Sequence, residues 1–493
     1  MKEIRLRFAP SPTGYIHIGS IRTALYNFLF AKHNNGKFIL RLEDTDQTRF
    51  VEGSIENLIE SLHWSGVEYD EGIFIEDGKI VQKGEYGPYI QSERLDIYNK
   101  YVDQLIEEGH AYYCFCSKDR LDKVRDEQKI NGLAPKYDGF CRNVLLEEAK
   151  ERIANGEEYV VRLKLPKNHD VKFHDLVRGD IVINTDDIDD QVLLKSDGYP
   201  TYHLAVVIDD HLMKISHIVR GEEWLPSTPK HIYLYEVLGW EKPTYVHLPT
   251  VLNKERKKLS KRHGDVSVDD FRNKGYLPEG LINYLALVGW SPDSNEEILS
   301  MEDLVEQFSF ERVSKTGGIF DKDKLDWVNG HYIRSTSVEK ITKMAIPYLK
   351  EAGLIDDELI ENKYEWIELL VKTVQESLHT VGEIVEKVEF IFKNDIDIKE
   401  DNAKELIKEE QVPSLLQAIR EELNNIEEID LEYAKGFMKI IQKNTGVKGK
   451  NLFMPVRVAL TGSEHGPEFV NILVLLGKEN ILKRIDFIEK NYI

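Results

Sequence analysis

Cysteine is scarce in this 493-residue chain: three residues, all between Cys114 and Cys141. An odd, clustered set is poor material for the disulfide framework of a secreted domain. The opening MKEIRLRFAP lacks the apolar core of a signal peptide. No apolar run approaches the ~20 residues that span a bilayer; LINYLALVGW and VNILVLLG are too short. These absences predict a cytoplasmic protein with no membrane partner. Positive charge is in deficit as well. The net charge of −22 argues against a bulk polycation that coats nucleic acid, although a local basic groove remains compatible with it. The usual nucleotide loops are missing: no G-x-G-x-x-G follows the first strand, and there is no G-x-x-x-x-G-K-[ST]. No internal repeat or low-complexity linker interrupts the chain.

What is present suits a multidomain globular protein. Hydrophobic residues make up 41% and charged residues 31%, an ordinary balance for buried cores. The length predicts about three or four domains at ~100–200 residues each. Residues 4–9 alternate as a short strand. Ile21, Leu25, Phe28 and Leu29 recur at helical spacing, and KFILRLEDTD reads as a second strand ending in acids. Residues 54–64 repeat the helical pattern. This order predicts a parallel α/β sheet with right-handed crossovers. From about Ser92 the texture becomes that of an insertion. The stretch from VLLKSDGYPTYHLAVV to HIVRGEEW returns to sheet-forming sequence, and helix-like STPKHIYLYEVLGW follows. Beyond Arg256 the pattern is mostly helical. GGIFDKDKLDWVNGHYIR reads as a hinge, and residues 384–435 as solvated helix faces over a bundle core.

Two stretches carry chemistry. FAPSPTGYIHIGSIRTAL sets small residues and a histidine between a strand and a helix. Helix N-termini there favour an anion. Gly14 and Gly19 allow close approach, and His17 can donate to a phosphate oxygen; a tight turn with a surface histidine is an equal reading of the loop alone. Far downstream, KERKKLSKRHGD could neutralise charge on a transferring phosphoryl group, although alone it reads as a solvated charge run.

Together the two stretches resemble the paired signatures of class I aminoacyl-tRNA synthetases. HIGS matches the His-Ile-Gly-His type motif and KLSKR the Lys-Met-Ser-Lys-Ser type, in the order that class requires. Ser20 replaces the second His and Arg262 the final Ser. RFAPSPTGYIHIGSIRTALYN, RLEDTDQTR, GPYIQSERLDIY, LLKSDGYPTYHLAVVIDDH, RGEEWLPSTPKH, KLSKRHGD, FDKDKLDWVNGHYIR and MPVRVALTG resemble the bacterial glutamyl members over almost the whole chain.

The resemblance implies a Rossmann-like parallel sheet with an inserted α+β acceptor-binding domain, then an all-α anticodon-binding half. The implied boundaries are 1–91 and 194–255 for the catalytic domain, 92–193 for the insertion and 256–335 for a stem-contact domain with the KLSKR loop. Residues 336–390 and 391–493 would form two helical anticodon-binding domains. The implied reaction joins L-glutamate to tRNA(Glu) through a glutamyl-adenylate, releasing AMP and pyrophosphate, with Mg2+ on the ATP. The implied catalytic residues are His17, Gly19, Lys258 and Lys261, with His17, Gly19 and Lys261 also holding ATP. The implied glutamate pocket is Arg7, Ala9, Ser11, Glu43, Tyr202 and Arg220. Arginine suits bidentate carboxylate recognition. On the residues alone, Arg7 reads equally as a structural ion-pair residue, and EDTD as a metal site or helix cap.

Cys114, Cys116 and Cys141, with Tyr137, form a candidate structural zinc site. Some glutamyl members carry Cys-x-Cys then Cys-x-His; here the last position is Asn143, while Tyr137–Cys141 matches the Tyr-x-x-x-Cys pair of a relative. KNTGVKGKN is a candidate phosphate-contacting loop, or a plain surface turn. Members that reject tRNA(Gln) tend to carry an Arg in the helix equivalent to residues 374–381; none stands here, so a relaxed enzyme that also charges tRNA(Gln) is one expectation. A monomer is expected. The alternatives are a relative that glutamylates a modified tRNA base, against which about 150 residues beyond Arg334 argue, and a non-catalytic RNA-binding protein, against which His17 and Lys261 argue.

Overall fold

The computed structural model describes residues 3–259 and 266–493. The chain divides into two compact units: Met1–Phe271 with Leu281–Lys322, and Arg272–Gly280 with Asp323–Ile493.

The strands of the first unit, in chain order, are β1 (Arg5–Phe8), β2 (Lys37–Leu40), β3 (Glu71–Glu76), β4 (Lys79–Lys83), β5 (Ala111–Cys114), β6 (Val160–Leu163), β7 (Asp170–Asp175), β8 (Gly179–Asn184), β9 (Val192–Leu194), β10 (His217–Gly221) and β11 (Thr244–Leu248). β1, β2 and β3 run parallel, and β4 closes the edge as an antiparallel strand. β10, β11 and β7 also run parallel, with β8 antiparallel beyond them. The two sheets meet where β1 begins: Ser216 N–H donates to the Arg5 carbonyl at 2.9 Å, and Arg5 N–H to Ser216 Oγ at 2.8 Å. Across this seam the order β3-β2-β1 reverses to β10-β11. Such a reversal opens a crevice at the carboxyl ends of the strands, the usual ligand position in an open parallel sheet.

β5, β6 and β9 form a separate antiparallel sheet within the residue span read as an insertion. The β7–β8 hairpin lies in that span too, yet it extends the sheet of β11.

The helix Ile18–His33 begins three residues before the periodic pattern. His17 caps it, its Nδ1 accepting the Gly19 N–H at 2.9 Å. One sequence expectation fails here. The sheet-forming stretch after β9 contains the helix Tyr202–Leu212 before β10 begins. Leu204 through Asp210 are all buried, so no polar face gives this helix a 3.6-residue rhythm. A short apolar run then reads as a strand.

The second unit is helical. Val338–Glu351, Tyr364–Val374, Val412–Asn424, Leu431–Thr445, Lys450–Thr461 and Phe469–Asn491 pack over one apolar core that includes Ile341, Leu370, Ile419, Phe437, Val456 and Ile485. Inside that core Arg484, 1% exposed, donates to the carbonyls of Phe390, Ile391, Lys393 and Leu460. It thereby satisfies carbonyls at the ends of two helices. The stretch 374–381, expected as helix, turns through a short 3-10 segment at Gln375–Ser377 and then extends at Leu378. Among the described residues, no helix is long and apolar enough to cross a membrane.

Candidate active site

A cavity of about 930 Å3 opens at the seam. β1 delivers Arg7, the turn after it Ala9, Ser11 and His17, and the first turn of the helix Ile18–His33 Gly19; the segment after β2 delivers Glu43. Tyr202 comes from the helix after β9, Arg220 from β10, and Lys258 from the segment beyond β11. All nine line the same cavity. Lys261, with Ser260 and Arg262 of the same motif, lies outside the described residues.

The described residues on either side of Lys261 are held by backbone hydrogen bonds, and those before it line this cavity. Leu259 lines it, with its N–H bonded to the Val251 carbonyl at 3.0 Å. Val266 accepts the Ile18 N–H at 2.8 Å, and Val268 N–H returns to the Ile16 carbonyl. His17, whose Nδ1 is an acceptor from Gly19, carries its proton on Nε2 when neutral.

Part of the cavity wall is built on buried charge. Asp210 accepts from Arg7 Nε at 3.0 Å and Nη2 at 3.2 Å. Arg41, fully buried, donates to Asp210 at 2.8 Å and to Glu43 at 3.0 Å. Behind them Asp209 takes Arg94 Nε at 2.7 Å, Gln91 at 2.9 Å and the Tyr98 hydroxyl at 2.8 Å. Arg7 is therefore an ion-pair residue that also lines the cavity wall. Burial works against the Asp210 charge, but Arg7 and Arg41 more than offset it and hold its carboxyl below the ordinary range. Burial pushes the Glu43 carboxyl up, with Arg41 and Arg7 opposing.

Arg220 is different. It is 5% exposed, and no carboxylate among the described residues stands within ion-pair distance. Its nitrogens donate to Thr228 Oγ1 at 2.8 Å, Tyr202 Oη at 3.0 Å, His247 Nε2 at 3.1 Å and His231 Nδ1 at 3.2 Å. Burial, then the charge of Arg220, keep His231 well below the ordinary imidazole range and hence neutral. A buried cation with only neutral partners is costly unless an anion arrives.

Sequence reasoning missed Arg41, Asp210, Thr228, His231 and His247. Two adjacent acids in the apolar LAVVIDDHL were the available signal, because buried acids require cationic partners. The histidines had none, since either reads as ordinary core.

The cysteine cluster lies apart from the cavity, on β5 and the loop around Tyr137. The sulfurs of Cys114, Cys116 and Cys141 all lie within 4.8 Å of one another, Cys116 and Cys141 at 3.5 Å. The Tyr137 hydroxyl stands 3.4 Å from Cys114 and 3.7 Å from Cys116. Hydrogen bonds, first from Cys141 and then from Tyr137, outweigh burial and draw Cys114 down to about 4. Three sulfurs and a phenol oxygen lie close enough together to fit a zinc ion, whose Zn–S bonds of ~2.3 Å set sulfurs roughly 3.8 Å apart.

The family model for the class I tRNA synthetase catalytic domain (E and Q) matches residues 3–327, and the anticodon binding domain model matches residues 340–488. A glutamate--tRNA ligase of Alkaliphilus metalliredigens is 57% identical over 100% of both chains. One of Clostridioides difficile is 54% identical over 99% of both. The crystal structure of a glutamate tRNA ligase from Elizabethkingia meningosepticum, in complex with its amino acid, superposes with a TM-score of 0.87 at 36% identity, covering 100% of each chain. The chain belongs to the class I tRNA synthetases of the E and Q type, as a member of the glutamate--tRNA ligase family.

Proposed function

We propose that the cavity activates L-glutamate with ATP and passes it to tRNA(Glu). The carrying observation is Arg220, a buried guanidinium on the cavity wall with no protein carboxylate to pair with among the described residues. The substrate's side-chain carboxylate supplies that charge. The Tyr202 hydroxyl, which accepts from Arg220, is left with its proton to donate to the same carboxylate. Glutamine offers no charge and leaves the guanidinium uncompensated, which is a strong basis for rejection. Arg7, held by Asp210, offers its remaining N–H groups toward the substrate carboxylates, while Glu43 and Ser11 face the ammonium.

In the first step a glutamate carboxylate oxygen attacks the α-phosphorus of ATP. The bond from that phosphorus to the bridging oxygen breaks, and pyrophosphate leaves. No protein nucleophile is needed, so catalysis is positioning and charge stabilisation. Gly19 leaves room for the adenosine, and the Nε2–H of His17 donates to a phosphate oxygen. Lys258 and Lys261 meet the charge on the departing pyrophosphate; the place of Lys258 in the cavity wall supports its part in this. Mg2+ accompanies the ATP phosphates and adds charge neutralisation there. In the second step a ribose hydroxyl of the terminal tRNA adenosine attacks the glutamyl carbonyl, and AMP leaves.

The span 92–193 serves the acceptor end and the helical unit the anticodon, with KNTGVKGKN touching phosphate. Cys114, Cys116, Tyr137 and Cys141 hold a structural zinc that pins the loop to β5. The enzyme works as a monomer, in the cytoplasm where tRNA is charged. With no Arg across 374–381, the enzyme also charges tRNA(Gln). Charging assays with labelled glutamate on each tRNA test this: glutamate on both is expected, tRNA(Glu) alone removes the relaxed specificity, and neither overturns the reading.

A further inference from the structure

Four arginines gather behind this cavity, and three of them touch carboxylates directly. Arg7 and Arg41 pair with Asp210, and Arg94 with Asp209. Arg220 departs from that pattern, although a fully buried acid is near. Asp175 Oδ2 lies 2.6 Å from His247 Nδ1, on the far side of the ring from Arg220. The imidazole is interposed between acid and guanidinium.

The hydrogen bonds fix its protonation. Nε2 accepts from Arg220, so Nδ1 carries the proton and donates to Asp175. Asp175 is itself held by the backbone N–H groups of Val177 at 3.0 Å, Arg178 at 2.8 Å and His247 at 3.0 Å. On the other flank, His231 accepts from Arg220 at Nδ1 and meets His203 Nδ1 through Nε2 at 3.0 Å. Thr228 completes the set from the first turn of the helix Thr228–Val237. Each acceptor directs a guanidinium nitrogen, and none cancels its charge.

We infer that Thr228, His231 and His247 are positioning and specificity-determining residues: by supplying neutral acceptors alone, they keep Arg220 in place yet electrically uncompensated, so that a charged side chain is favoured over its neutral amide. This rests on the reading of Arg220 as the glutamate-binding residue. Had Asp175 reached Arg220 directly, the pair would be neutral, and glutamine would leave no buried charge unpaired. Selectivity then lives in the second layer of residues as much as in Arg220.

Thr228→Asp and Thr228→Asn separate charge from shape. The two are nearly isosteric, both offer an oxygen to Arg220, and an acid in a first helical turn is tolerated. The readouts, in ATP–pyrophosphate exchange with tRNA(Glu) present, are the KM for L-glutamate and the Ki for L-glutamine. The wild-type ratio of Ki to KM is expected to fall at least roughly 30-fold in Thr228→Asp, and by less than about threefold in Thr228→Asn. Equal ratios in the two variants overturn the inference. Should Thr228→Asp not fold, His247→Asn decides: it retains the bond to Asp175 and withdraws the acceptor from Arg220. It is expected to raise the glutamate KM about tenfold, with the ATP KM unchanged, and an unchanged glutamate KM overturns the inference. Failure of the underlying reading looks different, because the wild type would then show no glutamate-dependent exchange.

Discussion

Asp210 accepts from Arg7 through both carboxylate oxygens, at 3.0 and 3.2 Å, and shares the first of them with Arg41 at 2.8 Å. One fully buried acid on the helix after β9 thus holds an arginine of β1 and another from the segment after β2. It clamps the sheet on one side of the seam to a helix that leads into β10.

Replacing Asp210 by Asn strands two buried guanidiniums with one partner of no charge. Breaking a buried pair in this way costs about 3–5 kcal/mol. Thermal unfolding should show a marked drop in the midpoint of the catalytic unit, and exchange kinetics a raised glutamate KM. An unchanged midpoint would show that the clamp carries little of the fold.

In the proposed pocket, Arg220→Ala removes the charge that pairs with the substrate carboxylate. Loss of a desolvated charge pair at about 3–4 kcal/mol corresponds to roughly 10²–10³ in kcat/KM for glutamate. The ATP KM should stay near the wild-type value. Arg220→Lys should not rescue, because a point charge cannot reach four acceptors arranged for a planar fork. Unchanged glutamate kinetics in Arg220→Ala would remove this residue from the pocket.

Much of this site was legible in the sequence, and the parts that were not have a common cause. HIGS and KLSKR stand out as local patterns, and His17 and Gly19 of the first form the cap at the start of the helix Ile18–His33. Arg7, Glu43, Tyr202 and Arg220 were found by resemblance, and they converge on one cavity. Asp210 acts through Arg7 and Arg41, more than a hundred positions away, and His247 through Arg220 and Asp175 on the neighbouring strands of its sheet, and no local pattern marks such roles. The helix Tyr202–Leu212 was obscured for the reason that makes it useful: buried on every side, it can carry acids to the arginines, but it shows no amphipathic rhythm.

Purified protein should hold about one zinc per chain under conditions that retain it. Cys141→Ser should lose most of that metal, and a chelator should lower the thermal stability of the wild type toward that of the variant. Zinc-free wild-type protein would end the assignment of Cys114, Cys116, Tyr137 and Cys141 as ligands.

Stability should begin to fall at higher pH than carboxylate titration explains. Burial, followed by the charges of Lys230 and Arg220, lowers His203 to about 4, and His231 is lowered as well. Unfolded histidines titrate near ~6.5. As pH falls below that value, the unfolded chain takes up protons that the folded chain refuses. The stabilisation is complete above pH ~6.5 and is lost progressively toward pH ~4, at up to about 1.4 kcal/mol per pH unit for each histidine. The Asp210 contribution, from a carboxyl held low, is lost only at more acidic pH. His203→Asn should flatten the slope between pH 6.5 and 4 when unfolding is followed across pH; an unaltered slope would mean that His203 is not a buried neutral group.

The most direct test is ATP–pyrophosphate exchange by the intact wild-type chain, with tRNA(Glu) present, comparing L-glutamate with L-glutamine. The account predicts robust exchange with glutamate and little with glutamine, because only the acid pairs the charge of Arg220. Equal exchange with the two amino acids, or none with glutamate, would contradict it.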